Sequence, residues 1–338
     1  MSLHRPAPAP PPTIHRPARR RRRPAVLSGV LAAVLVVAVV AVILVWRSGD
    51  TATTGAADSQ LLLADGVTAG GSITGQARTL ADALTERGLE CSARFTSAEG
   101  GHSGCFAYRS ASRTTSSVAF QYEPDGTVTA FALKVRATGD TASALRSLAA
   151  AVGDVVFPAD LTNVGVVLQN WGGAPEGTWG KYEIISRGPK TQVNGAKLGS
   201  SQLEVPVLHL DTTEPDLAKA LTADGYTCTA DNETCQGKYA GRPGLALKFS
   251  GPDTGITYLV ATAATGATTG KAFEQLRTTA FGHLQGDAVA PVQDWVSRHL
   301  DGRSHIAYVA GWRVDLEVTP GRQIRLTLFN EEIWLVMS

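Results

Sequence analysis

The 338-residue chain lacks the local patterns by which most enzymes declare their chemistry. Its seven histidines (His4, His15, His102, His209, His283, His299 and His305) show no HExxH or HxxxH spacing, so no single helix face offers two imidazoles to a metal. Cysteine is limited to four residues with no CxxC pair, and none lies near the N-terminal apolar run, which excludes a lipid-modified cysteine anchor. The formal net charge is only +1 with an arginine cluster included, so the remainder is mildly acidic and carries no footprint for nucleic acid. Glu331-Glu332 is the one adjacent acidic pair; neighbours on a strand point to opposite faces, so a solvated edge is expected rather than an acid–base couple.

Two glycine-rich stretches fail as catalytic motifs. Gly101-His102-Ser103-Gly104 has Cys105 where a nucleophile elbow needs glycine, and reads as a disulfide loop. Gly266 to Lys271 is one residue short of a phosphate loop and lacks the hydroxyl residue after lysine, so a strand-to-helix turn is expected. No catalytic residue, no metal ligand and no cofactor is assigned.

What the chain does contain is one long apolar run. Ala25 to Trp46 carries no charge and no proline, and its twenty-two residues span about 33 Å as a helix, enough for a hydrocarbon core of about 30 Å. Seven arginines precede it, among them Arg19, Arg20, Arg21, Arg22 and Arg23, and only Arg47 follows closely. Positive charge stays on the cytoplasmic side, so an uncleaved signal-anchor is expected in the plasma membrane, single-pass, N-terminus inside and bulk outside. Residues 25–46 then partner the lipid bilayer. Residues 1–24, rich in Pro and Arg, read as a disordered cytoplasmic tail, and residues 47–74 as a flexible extracytoplasmic linker, with Leu61 to Leu63 placed to dock on the first domain.

Beyond the linker the sequence repeats itself. Leu80 to Cys91 (LADALTERGLEC) and Leu217 to Cys228 (LAKALTADGYTC) agree at seven of twelve positions. Matches continue in the same order: Pro124-Asp125 with Pro252-Asp253, Ala144, Leu145 and Leu148 with Ala272, Phe273 and Leu276, and Gln169-Asn170-Trp171 with Gln293-Asp294-Trp295. A final match sets QLEVPVL from Gln202 against QIRLTLF from Gln323. A colinear series of this length indicates tandem duplication, with domains at 75–210 and 211–338. Four cysteines allow three connectivities, and the repeat selects Cys91–Cys105 and Cys228–Cys235, which suits an oxidising compartment.

Each copy reads as helix, three or four strands, two helices and two closing strands, KYEIIS with SQLEVPVLHL and GWRVDLEV with RQIRLTLF. Apolar residues at Leu80, Ala81, Ala83 and Leu84 share one helix face, and Gly88 and Gly225 end that helix. Thr141 and Thr269 are expected to cap the next one. The fold class is therefore α+β: two tandem two-layer domains, each an antiparallel sheet with helices on one face. Trp171 and Trp295, equivalent at helix ends, are the candidate binding aromatics, with a core position as the plainer role. The function expected is non-catalytic binding of an envelope protein, polymer or small ligand, with a crevice between the copies as its place. An extracytoplasmic enzyme and a regulator acting through the tail remain the alternatives.

Overall fold

Leu80, Ala81 and Leu84 lie fully inside because α1 (Gly75–Thr85) turns its one apolar stripe onto a sheet. The helix stops where Gly88 takes φ +82°, its N–H bonding the Thr85 carbonyl and that of Leu89 reaching Leu84. The corresponding helix of the second half, α3 (Glu214–Ala223), ends identically: Gly225 takes φ +85°, with N–H bonds from Gly225 to Thr222 and from Tyr226 to Leu221. Its start is capped by Thr213, whose hydroxyl accepts from the Asp216 N–H, with Pro215 in the first turn.

The structure is a computed structural model in which residues 61–331 are described, apart from 65, 110–112, 138–140, 161–176 and 188–189. They belong to one compact unit, Ser59–Ser338. The architecture is mixed α+β with two antiparallel sheets and two disulfides. Among the described residues no helix is long and apolar enough to cross a membrane; Ala25–Trp46, Arg19–Arg23 and Trp171 lie outside them.

The first sheet has eight strands in the order β1-β2-β3-β4-β5-β6-β8-β7: β1 (Leu62–Ala64), β2 (Val67–Ala69), β3 (Glu90–Ser97), β4 (Gly100–Arg109), β5 (Thr114–Tyr122), β6 (Val128–Arg136), β7 (Gly180–Arg187) and β8 (Lys190–Lys197). On β5, Val118, Phe120 and Tyr122 face α1 and α2 (Thr141–Val156), while Ser117, Ala119 and Gln121 alternate onto the other face. Phe131, Phe157, Trp179 and Tyr182 fill this core, ring on ring.

The second sheet runs β13-β14-β15-β12-β11-β10-β9, from β9 (Thr227–Cys228), β10 (Thr234–Tyr239), β11 (Arg242–Ser250) and β12 (Tyr258–Ala263) to β13 (His305–Val309), β14 (Trp312–Thr319) and β15 (Gln323–Phe329). Its core packs Leu247, Phe249, Phe273, Leu276 and Trp312 under α4 (Thr269–His283) and α5 (Val289–Arg298). Both disulfides join residues directly opposite on paired strands, Cys91 with Cys105 and Cys228 with Cys235, as the repeat implied.

Five expectations are corrected. Residues 47–74 are described from Leu61 onward, and there they form a β1–β2 hairpin on the edge of β3 rather than a loose linker. Leu63 packs against the second core, where the first was expected. The stretch SQLEVPVLHL is not a closing strand: β8 takes that place, and residues 201–209 run as a connector. Pro206 has no N–H to give a ladder, and the Leu203 N–H bonds the Gln121 side chain instead. Gly101 to Gly104 sit within β4 rather than in a loop. Thr269, expected to cap α4, is instead its first residue, and its hydroxyl donates to the Gly266 carbonyl and accepts from the Thr265 N–H, outside the capping arrangement.

Candidate functional site

The faces of the two sheets that carry no helix meet at a seam. β13 lies against β3 and β4, and Phe106, Ala119, Ala130, Ala132 and Ala196 close with Ile306 and Tyr308 into a third, smaller core. Small alanines on β5, β6 and β8 leave room for the larger Ile306 and Tyr308. The Tyr308 N–H, on an edge strand, is satisfied by the Ser92 hydroxyl at 2.8 Å.

Beside this core lies a buried ionic cluster drawn from both halves. Glu331, just after β15, is 8 % exposed; its carboxylate accepts from Arg313 at 2.8 Å, Lys134 at 3.3 Å and the Tyr308 hydroxyl at 2.7 Å. Its backbone carbonyl accepts from Arg94 at 2.8 Å, and Arg94 Nε also reaches the Gly311 carbonyl. Arg313 adds Asp315 at 2.9 Å and stacks over Phe106, its guanidinium carbon 4.6 Å from the ring centre. Burial raises the Glu331 carboxyl, but the cationic partners more than offset this and hold it near about 2. The expected solvated edge is therefore overturned for Glu331: it is the centre of the seam, and Glu332 lies outside the described residues.

Three cations facing two carboxylates leave a positive surplus, and the neighbouring His102 shows the consequence. It is wholly buried, stacked on Phe95 and edge-on to Tyr308. Burial, followed by the charge of Arg94, pushes its pKa down to about 3, so the imidazole is neutral. Neither ring nitrogen has a hydrogen-bond partner among the described residues, nor does Arg94 Nη2.

At the rim of the seam the two halves leave a cleft of about 270 Å³, bounded by Gly88, Glu90 and Arg109 on one side and Arg303, His305 and Pro320 on the other. Glu90 opens β3 and His305 opens β13; His305 Nδ1 stands 3.4 Å from Glu90, and its Nε2 3.0 Å from Asp301. His299, at the end of α5, brings its ring to 4.8 Å from that of His305. Trp295 is 7 % exposed within the second core and stacks on His299 at 4.4 Å.

Sequence reasoning missed both the ionic cluster and this rim. Arg94 and Glu331 are 237 residues apart, Glu90 and His305 215 apart, and no local spacing relates them. A separate buried carboxylate, Asp160, was also not anticipated. It accepts from Thr178 N–H and hydroxyl, Trp179 N–H and the Tyr182 hydroxyl at 2.6 to 2.9 Å. Burial raises its pKa, but these bonds outweigh burial and bring it to about 2. It latches the end of α2 to the start of β7 and is structural. Comparison with protein-family models, with curated proteins and with solved structures finds no match for this chain.

Proposed function

We propose that the protein is a single-pass membrane protein whose duplicated extracytoplasmic units act as a binding module at the cell envelope. Ligand enters the cleft where the two units meet. Ala25–Trp46 is the membrane anchor in this reading, with Arg19–Arg23 on the cytoplasmic side and both disulfides formed in the oxidising compartment outside. The observation that carries the binding role is the cleft itself, a concavity lined from both units, with Glu90, Arg109, Arg303 and His305 among its polar residues and Phe106 and Ile306 of the third core among its apolar ones.

Duplication draws support from contacts that recur at one constant offset. Cys91 Sγ lies 3.6 Å from the Thr85 hydroxyl and 3.4 Å from the Ala81 carbonyl oxygen; Cys228 Sγ lies 3.6 Å from Thr222 and 3.5 Å from Ala218. Strand order supports it too, because β3-β4-β5-β6-β8-β7 runs parallel to β9-β10-β11-β12-β15-β14.

Native mass spectrometry of the full chain, extracted from its own membrane in mild detergent, tests the binding role. A non-covalent adduct is expected on the wild type and absent from the Arg109→Glu, Arg303→Glu double variant. A wild type without adduct, or the same adduct on both chains, contradicts it. Protease added to intact cells tests the topology: loss of both disulfide-bonded units is expected, and their survival until lysis would overturn the anchor.

A further inference from the structure

We infer that Glu90, His299 and His305 form a site for one divalent transition-metal ion, of which zinc is the representative, at the rim of the seam. The three residues place one donor atom each within 4.8 Å of one another. Their protonation follows from their partners. His299 Nδ1 stands 2.7 Å from the Trp295 carbonyl oxygen, which only accepts, so Nδ1 carries the hydrogen and Nε2 keeps a lone pair. His305 Nε2 faces the Asp301 carboxylate at 3.0 Å and by the same reasoning is the donor, which leaves a lone pair on Nδ1. That lone pair points at Glu90 Oε2, 3.4 Å away, an arrangement of two acceptors that needs a cation between them.

The cation is a proton or a metal, and the surroundings favour the metal. Tetrahedral ligands at about 2.1 Å from an ion stand roughly 3.4 Å from each other, which matches the His305–Glu90 separation. Two imidazoles and one carboxylate are a donor set that zinc uses where the fourth position stays open, and here Glu90 and His305 line the cleft. Both histidines already have the outer partners that metal-bound imidazoles take, a backbone carbonyl for His299 and a carboxylate for His305. The His299 ring is further fixed by stacking on Trp295, whereas Glu90 is 62 % exposed and free to close on an ion. Glu90 comes from the first half and both histidines from the second, so the ion would bridge the seam. The inference stands on these donor atoms and does not depend on what else occupies the cleft.

The test uses the full chain in detergent, stripped of metal with chelator and titrated with zinc chloride by calorimetry, with cobalt absorption as a second readout. One equivalent is expected to bind at micromolar concentration or tighter, with visible bands of four-coordinate cobalt and a rise in melting temperature. Glu90→Gln, an exposed and isosteric change, should weaken binding at least tenfold; Asp301→Asn should weaken it 10- to 100-fold through His305. The Glu90→Gln, His299→Ala pair should lose saturable binding and the melting shift. If His299→Ala fails to fold, Glu90→Gln with the cobalt spectrum decides alone. A wild type that binds no equivalent of zinc overturns the site and assigns the gap to a proton. Undiminished affinity in Glu90→Gln overturns it as well, and assigns the zinc to other donors such as His4 and His15.

Discussion

The two disulfide-bonded halves agree in their cores and part company where they touch. Each buries an apolar helix stripe on one face of an antiparallel sheet, ends its first helix on a left-handed glycine and sets its cysteine against the same threonine and carbonyl. Their helix-free faces differ. The first presents alanines, Phe106, Lys134 and the neutral His102; the second presents Tyr308, Arg313 and Asp315, with Glu331 beyond its last strand. β13, which supplies Ile306 and Tyr308, has no counterpart among the described residues of the first half. Packing inside a half tolerates little change in volume, whereas a face between the halves is free to acquire complementary shape and charge.

The contrast is broken most severely at Glu331. Replacing it with alanine leaves Lys134 facing a buried void without its carboxylate and Arg313 with Asp315 alone, and removal of one partner from such a pair costs about 3–5 kcal/mol. Urea unfolding of the full chain is expected to show that loss. Asp160→Asn lies within the first half alone: it sets an amide against donors that need an acceptor, for about 3 kcal/mol. Trp179 fluorescence should register the change and, with the seam intact, exchange protection should fall together in β4–β6 and β12–β15.

Breaking the disulfides compares the halves directly. Cys91 and Cys105 are 14 residues apart and Cys228 and Cys235 only 7, so loop closure assigns about 3 kcal/mol to the first and about 2 to the second. Denaturation of the two paired Cys→Ala variants should rank them in that order, and the reverse order would place the disulfides' contributions elsewhere than in chain entropy.

The smallest effect is a slope. The folded pKa of His102 lies near 3, below its unfolded value of about 6.5, so between these pH values the unfolded chain takes up a proton that the folded chain refuses. Stability therefore falls as pH drops below about 6.5, by at most about 1.4 kcal/mol per pH unit. Below about pH 4.5, Glu331 adds a loss of its own, because the unfolded chain's carboxyl takes up a proton that the folded one, held down to about 2, refuses. His102→Phe keeps the stack on Phe95 and should flatten the urea midpoint between pH 6.5 and 5. An unchanged slope would move that proton uptake to another group.

Much of the fold was legible in the sequence because local physics decides it. The stripe on α1, the glycines at 88 and 225, the turn at Pro124-Asp125 and the cysteine pairing all follow from spacing and backbone freedom. β8 was missed because TQVNGAK is polar and reads weaker than QLEVPVL, whose proline nonetheless keeps it out of a ladder. The seam was invisible for a different reason. Alternation along β4, β6 and β14 identifies a face that is not the core, but it cannot distinguish a face bathed in water from one covered by a second sheet. Glu331 and His102 consequently read as a surface acid and a loop histidine, and the rim residues Glu90, His299 and His305 as unrelated positions.

Whether the two halves act as one body through that seam is tested most directly by native-state hydrogen exchange on the full chain, followed separately in β4–β6 and β12–β15. The same opening free energy is expected in both sheets of the wild type, with Glu331→Ala letting one sheet open while the other stays protected. Sheets that already open independently in the wild type would contradict a common body, and with it a cleft built from both.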